Sequence, residues 1–280
     1  MKVLESISSM QRAALALKAE GKRIALVPTM GSLHEGHLSL VKLARENADR
    51  VVLSLFVNPK QFALGEDLDR YPRDSARDRQ VCRKHGIAIL FAPKETALYP
   101  TSYSTYVDEV ELSSGLCSVS RPGHFRGVAT IVAKLFNIVQ PDVAVFGQKD
   151  AQQAAIIKRM ARDLHFPVEI VVGPTVRDSD GLALSSRNAY LSVSQRVAAC
   201  KLYESLQRAQ KLVAAGIFQA DRIIGEVLHS LTQSRKIRVI YVALVERDTL
   251  KPLRHLQRGR SLLAVAVWLE DVRLIDNIEL

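Results

Sequence analysis

Five short apolar runs recur along the first two-thirds of this chain, each closed by a proline or a glycine. Residues 23–27 (RIALV) end at Pro28, and 51–57 (VVLSLFV) end at Asn58-Pro59. Residues 87–91 (IAILF) stop before Pro93, 143–146 before Gly147, and 168–172 before Gly173-Pro174. Runs that are nearly continuous and apolar, without regular alternation, suit strands covered on both faces. Helix-periodic stretches lie between them. One extends through Ala48, with a stripe of Leu38, Val41, Leu43 and Ala44. Another is the charged segment 75–85. Residues 127–139 carry apolar side chains at 128, 131, 132, 135, 136 and 139, and 151–164 is amphipathic. Strand and helix in alternation predict βαβ units, a parallel sheet and right-handed crossovers.

After Pro174 the texture changes. Residues 175–191 are polar and Ser-rich, hence loop-like. Long helices are expected at 194–215 and 220–234, and strands at 237–245 and 261–268, paired with a short third one. The expected architecture is α/β: a Rossmann-like parallel sheet with helices on both faces, followed by a smaller α+β C-terminal domain. The boundary falls between 174 and 175, so the domains are 1–174 and 175–280, and 280 residues suffice for two.

Composition narrows the class. At 48% apolar and 24% charged residues the chain can bury a core, which excludes a disordered protein. No apolar run reaches the ~18 residues of a membrane-spanning helix, and no secretory leader is recognisable at the N-terminus. The three cysteines, Cys82, Cys117 and Cys200, are far apart and form no CxxC pair. Neither a zinc site nor a disulfide framework is expected, and a reducing cytoplasm is the natural setting. Net charge is +10, which invites anionic partners. The basic residues are interleaved with acids and form no polybasic arm, so neither nucleic acid nor a membrane surface is an expected partner.

The densest constellation is Pro28-Thr29-Met30-Gly31-Ser32-Leu33-His34-Glu35-Gly36-His37, between a buried strand and a helix. In open parallel sheets ligands bind beyond the carboxyl ends of strands. A Gly-containing turn into a helix is a ready anion site, because its N–H groups are unpaired. His34 and His37, three apart, share one helical face and can address one phosphate, where an imidazolium stabilises negative charge. Two histidines without HExxH spacing do not make a metal site, so none is expected.

His34-Glu35-Gly36-His37 resembles the HxGH signature of the nucleotidyltransferase superfamily, and the ten-residue string resembles the pantothenate synthetase (pantoate–β-alanine ligase) family. Four further blocks agree in order: Phe56-Val57-Asn58-Pro59-Lys60-Gln61-Phe62 with Glu66-Asp67-Leu68 and Arg70-Tyr71-Pro72-Arg73; Arg121-Pro122-Gly123-His124-Phe125-Arg126-Gly127-Val128; Gly147-Gln148-Lys149-Asp150 with Gln152-Gln153; and Asp180 to Asn188 (DGLALSSRN). The resemblance implies an ATP-dependent ligase that joins pantoate to β-alanine through an acyl adenylate, releasing AMP and pyrophosphate. It implies ATP contacts from Met30 to His37, Gly147 to Asp150, Val176 and Leu184 to Arg187, with His34, His37 and Lys149 catalytic. It further implies Gln61 and Gln153 on pantoate, Mg²⁺ carried with ATP, and a homodimer.

Elementary chemistry accords with these roles. Asn58 and Gln61 stand at a strand's carboxyl end, where uncharged amides suit a small hydroxy acid. A phosphorylated substrate would call for Arg or Lys there, which argues against another HxGH nucleotidyltransferase. Lys149 directly follows a strand, where burial without an anion is costly. Asp150 can accept a ribose hydroxyl or cap the next helix. Arg187, with Ser185 and Ser186, offers planar bidentate phosphate contacts. Arg121 and His124 either line the rim of the site or shape their loop. Gln148 stands where many relatives have Glu, and no chemical role is assigned to its side chain.

Overall fold

The computed structural model describes residues 1–63 and 65–280. The chain divides into two compact units, residues 1–111, 121–147 and 156–174 against residues 112–120, 148–155 and 175–280. The sequence break at 174/175 is thus one of several. Segments 112–120 and 148–155 group with the C-terminal unit, because Leu116 and Ala151 pack against Val245, Leu262 and Ala264.

In chain order the first elements are β1 (Lys2–Leu4), α1 (Ile7–Ala19), β2 (Ile24–Thr29), α2 (Glu35–Asn47), β3 (Arg50–Leu55), α3 (Ser75–Lys84), β4 (Ile89–Phe91) and α4 (Glu95–Leu98). Then come α5 (Cys117–Ser120), α6 (His124–Val139), β5 (Val143–Gly147), α7 (Ala151–Asp163) and β6 (Glu169–Gly173). The six strands form one parallel sheet in the order β1-β4-β3-β2-β5-β6. Ala25, Val27, Val51, Leu53, Val143 and Val145 meet Val41 and Ala44 of α2 and Cys82 of α3 on one face. The alternate residues Ile24, Leu26, Val52 and Ala144 are fully buried too. On that side α1 packs against β2 and α6. Two covered faces explain why these strands read as continuous apolar runs.

The order of strands positions the site. From β2 the chain steps to β3 and β4 on one side, then returns to place β5 and β6 on the other. The switch point of the sheet therefore lies between β2 and β5, where open α/β sheets bind ligands. The carboxyl ends of β2, β3 and β5 lead into residues 30–37, 56–61 and 148–150.

Two features escape the apolar-run reading. The first 22 residues hold β1 and α1, whose N-cap Ser6 accepts from the Ser9 amide at 3.2 Å while Met10 and Ala14 are fully buried. Helix α6 begins at His124, three residues early, because Gly123 takes a left-handed φ of 77° and turns the chain in.

In the second unit, α8 (Val193–Ala214) and α9 (Ala220–Thr232) cover an antiparallel sheet of β7 (Ile237–Glu246), β8 (Ser261–Leu269) and β9 (Val272–Glu279). Ala199, Leu202 and Leu206 of α8 and Ile223, Val227 and Leu231 of α9 form a core with Leu263, Val265 and Val267 of β8. These spacings are those of single helical faces. The third strand is full-length, not the short one expected. Burial pushes the Cys82 and Cys200 thiols up to about 11, the behaviour of inert structural cysteines. Among the described residues no helix is long and apolar enough to cross a membrane.

Candidate active site

The turn from β2 into α2 is held by a residue that the sequence did not single out. The Asp78 carboxylate, 1% exposed on α3, accepts the Ser32 amide at 2.9 Å and the Leu33 amide at 2.8 Å. Gly31 has φ 88°, and a Cβ there would lie 3.0 Å from Asp78 Oδ2. Ser32 is left-handed as well, with φ 52°. The Gly31 amide donates to Thr29 Oγ1 at 3.3 Å, and the His34 amide to His37 Nδ1 at 3.3 Å.

These bonds correct the expectation of an unpaired anion cradle at Gly31. The amides of residues 31–34 already have partners, so the helix-start donors that remain are those of Glu35 and Gly36 in the first turn of α2. His34 and His37 do share a face, with ring centroids 4.1 Å apart. Because His37 Nδ1 accepts a backbone bond, the proton of the neutral ring sits on Nε2. His37 thus presents an N–H donor without first becoming an imidazolium.

Asp78→Ala should destabilise the protein by about 1–3 kcal/mol for each amide left unsatisfied, read as a lower urea midpoint. Asp78→Asn, which keeps one acceptor oxygen, should fall between. An unchanged midpoint for the alanine variant would show that the turn holds itself.

At the end of β3, Asn58 is 1% exposed and its amide is fully engaged. Nδ2 donates to Gln61 Oε1 and to the Gly127 carbonyl, both at 3.1 Å. Oδ1 accepts from Tyr99 Oη at 3.0 Å and from the Lys60 amide at 3.3 Å. Burial, with Tyr103 and Tyr106 nearby, drives the Tyr99 phenol well above its ordinary range and keeps it a donor. A Cβ on Gly127 would collide with the Lys60 carbonyl, so only glycine lets α6 approach the turn at 59–61. Asn58 therefore orients Gln61, and Gln61 Nε2 lies 3.2 Å from Met30 Sδ. That contact brings the amide of the β3 end to the loop that bears the two histidines.

Arg121 and His124, left open by the sequence, shape this turn from behind. Arg121 makes two bonds to Glu66, at 2.7 and 2.6 Å, and a third to the Gln61 carbonyl at 3.2 Å. Arg121 Nη1 lies 3.0 Å from His124 Nε2, and His124 Nδ1 lies 2.7 Å from the same Gln61 carbonyl. A guanidinium can only donate. Nε2 is therefore the acceptor, and Nδ1 carries the proton to Gln61.

The remaining predicted residues lie in or directly precede the second unit. Gly147 ends β5, and Gln148, Lys149 and Asp150 form a single 3₁₀ turn leading into α7. Lys149 is half-buried, and its ammonium has no ion-pair partner among the described residues. The adjacent glutamines divide their work. Gln152 is 6% exposed and saturated, binding the carbonyls of Leu112 and Gly115 and the amide of Cys117. Gln153 is half-buried and has no hydrogen-bond partner among the described residues. The Leu184 amide donates to the Val176 carbonyl at 2.9 Å, and Ser185 caps the turn Ser186–Tyr190 by accepting from the Arg187 amide at 3.3 Å.

A signal for Asp78 was present. Asp78 and Cys82 are one helical turn apart on the only buried stripe of an otherwise charged helix.

With this geometry in place, comparison with known proteins is decisive. The family model described as pantoate-beta-alanine ligase matches residues 2–279. The chain belongs to that family. It is 51% identical to the pantothenate synthetase of Moorella thermoacetica over 280 residues, covering 100% of this chain and 99% of the relative. It is 49% identical to that of Thermotoga petrophila over 277 residues, covering 99% of each. A crystal structure of pantothenate synthetase from Thermus thermophilus superposes with a TM-score of 0.94 at 42% identity, covering 100% of this chain and 99% of the other. The pantoate-beta-alanine ligase of Francisella tularensis, solved with beta-gamma ATP and beta-alanine, gives 0.82 at 31% identity and covers 100% and 97%. The chain is accordingly an enzyme, a ligase of the pantoate–β-alanine class.

Proposed function

We propose that the enzyme activates pantoate with ATP and then transfers the pantoyl group to β-alanine. The pantoate carboxylate attacks the α-phosphorus and expels pyrophosphate. The β-alanine amine attacks the acyl adenylate and expels AMP. Activation is needed because a bare carboxylate would have to lose oxide. The observation that carries this reading is the contact of Gln61 with Met30, which sets an uncharged acid-binding amide beside the HxGH loop. His34, His37 and the first turn of α2 donate hydrogen bonds to the departing pyrophosphate, Lys149 neutralises charge at the α-phosphate, and Ser185, Ser186 and Arg187 bind the outer phosphates. Gln61 and Gln153 hold pantoate. The protein positions and neutralises, with no covalent enzyme intermediate.

Among the described residues no three His, Cys, Asp or Glu side chains are grouped to hold an ion. Mg²⁺ would travel with the triphosphate and keep several of its waters. The family resemblance adds a homodimer to the proposal, and the scattered, unpaired cysteines a cytoplasmic setting.

The test is isotope exchange between labelled pyrophosphate and ATP. Exchange should require pantoate and proceed without β-alanine, and full turnover in ¹⁸O-carboxyl pantoate should place one label in AMP. Label in inorganic phosphate, with ADP as product, would replace the adenylate by an acyl phosphate.

A further inference from the structure

Strand β9 carries two polar residues, Asp276 and Asn277, between the apolar pair Leu274-Ile275 and Ile278. They are 3% and 5% exposed. Asp and Asn are depleted in strands, and a buried polar group costs free energy unless its bonds are complete. An apolar residue at 277 would serve the sheet better, so the reason for this one lies in what its amide binds.

Asn277 Nδ2 donates to the Gln148 carbonyl at 2.9 Å and to the Lys149 carbonyl at 3.0 Å. Its Oδ1 accepts from Gln148 Nε2 at 3.3 Å. Both donors and the acceptor are thus spent on the one turn that presents Lys149. This also gives the Gln148 side chain a role, since it closes the ring of bonds from the other side. Asn277 is held in turn: its amide donates to Asp276 Oδ1 at 2.8 Å. Asp276 grips Arg177 through two bonds, at 2.6 and 2.9 Å, and the Arg177 guanidinium lies 3.7 Å over the Tyr203 ring.

We infer that Asn277 is a positioning residue for Lys149, fixing the backbone of the 148–150 turn so that the ammonium is aimed before ATP arrives. The inference rests on the role proposed for Lys149. Lysine is a point charge on a long flexible stem, so the direction in which it works is set by its backbone. A displacement of the order of 1 Å at such a group lowers a rate by as much as about 10²-fold.

The experiment measures pantoate-dependent pyrophosphate–ATP exchange in the full-length enzyme with five variants. Asn277→Ala should lower the exchange kcat by roughly tenfold or more while the KM for ATP moves little. Asn277→Asp, the same size but with no donor to face two carbonyls, should be no better than alanine. Asn277→Ser, which keeps one donor, should recover part of the loss. In a Lys149→Ala background, Asn277→Ala should change exchange by less than about twofold, because residues acting as one unit are non-additive. Thermal melting separates a folding defect from a positioning one. Should Asn277→Ala destabilise the fold, the serine and aspartate variants still decide through their rank. Full additivity of the two alanine changes, or a wild-type kcat for Asn277→Ala, would overturn the inference. A wild-type rate for Lys149→Ala alone would instead overturn the role of Lys149, and this inference with it.

Discussion

Replacing Lys149 by alanine should lower pyrophosphate–ATP exchange by about 10²-fold or more, the scale seen when one oxyanion-type donor is removed. The ammonium has no ion-pair partner among the described residues and sits half-buried on a turn that directly follows β5. Since the substitution breaks no ion pair among the described residues, the loss should appear in rate and leave melting nearly unchanged. It should also fall on kcat more than on the KM for ATP, because charge at the α-phosphate grows as pyrophosphate departs. Lys149→Arg should recover only part of the rate, since a planar fork does not place charge where a compact ammonium does. An alanine variant within about threefold of wild type would take Lys149 out of the chemistry.

How much of this was legible follows from what leaves a periodic trace. The sheet was readable because strands covered on both faces must be nearly continuous apolar runs, and β2, β3 and β5 each announce themselves and their ends. The HxGH loop, Gln61 and Lys149 could be proposed as site residues because motifs and strand ends are local in sequence. The contacts that hold them could not be read this way, although Arg121 and Glu66 stood within the motif blocks. Asp78 reaches Ser32 across 46 positions, Arg121 reaches Glu66 across 55, and Asn277 reaches Lys149 across 128. No period links such pairs: Arg121 and Glu66 were visible only as motif residues, and Asp78 on its buried stripe and Asn277 within β9 only as polar residues in apolar places. The unpaired amides expected at Gly31 failed partly for the same reason: Asp78, which takes those of Ser32 and Leu33, lies on another helix, while the Gly31 amide turns to Thr29 two residues back.

Glu66→Ala should strongly destabilise the protein. Arg121 and Glu66 meet at 2.6 Å with side chains 9% and 15% exposed. Removing one member of a buried pair leaves the other charged and desolvated, at a cost of about 3–5 kcal/mol. For a chain of this size that predicts a melting point lower by roughly 6–20 °C. The same guanidinium also binds the Gln61 carbonyl, so the variant that survives should show a raised KM for pantoate as the turn at 59–61 relaxes. Stability and positioning can be separated. Replacing both partners by apolar residues of similar volume, Glu66→Leu with Arg121→Met, removes the stranded charge and is often neutral or stabilising. That double variant should regain most of the melting temperature of the wild type, yet keep the weakened hold on pantoate, because nothing then donates to Gln61 from position 121. If it regained pantoate affinity along with its stability, Arg121 would be a stabilising ion pair and no more. If Glu66→Ala melted like the wild type, the pair would be adding nothing to the fold.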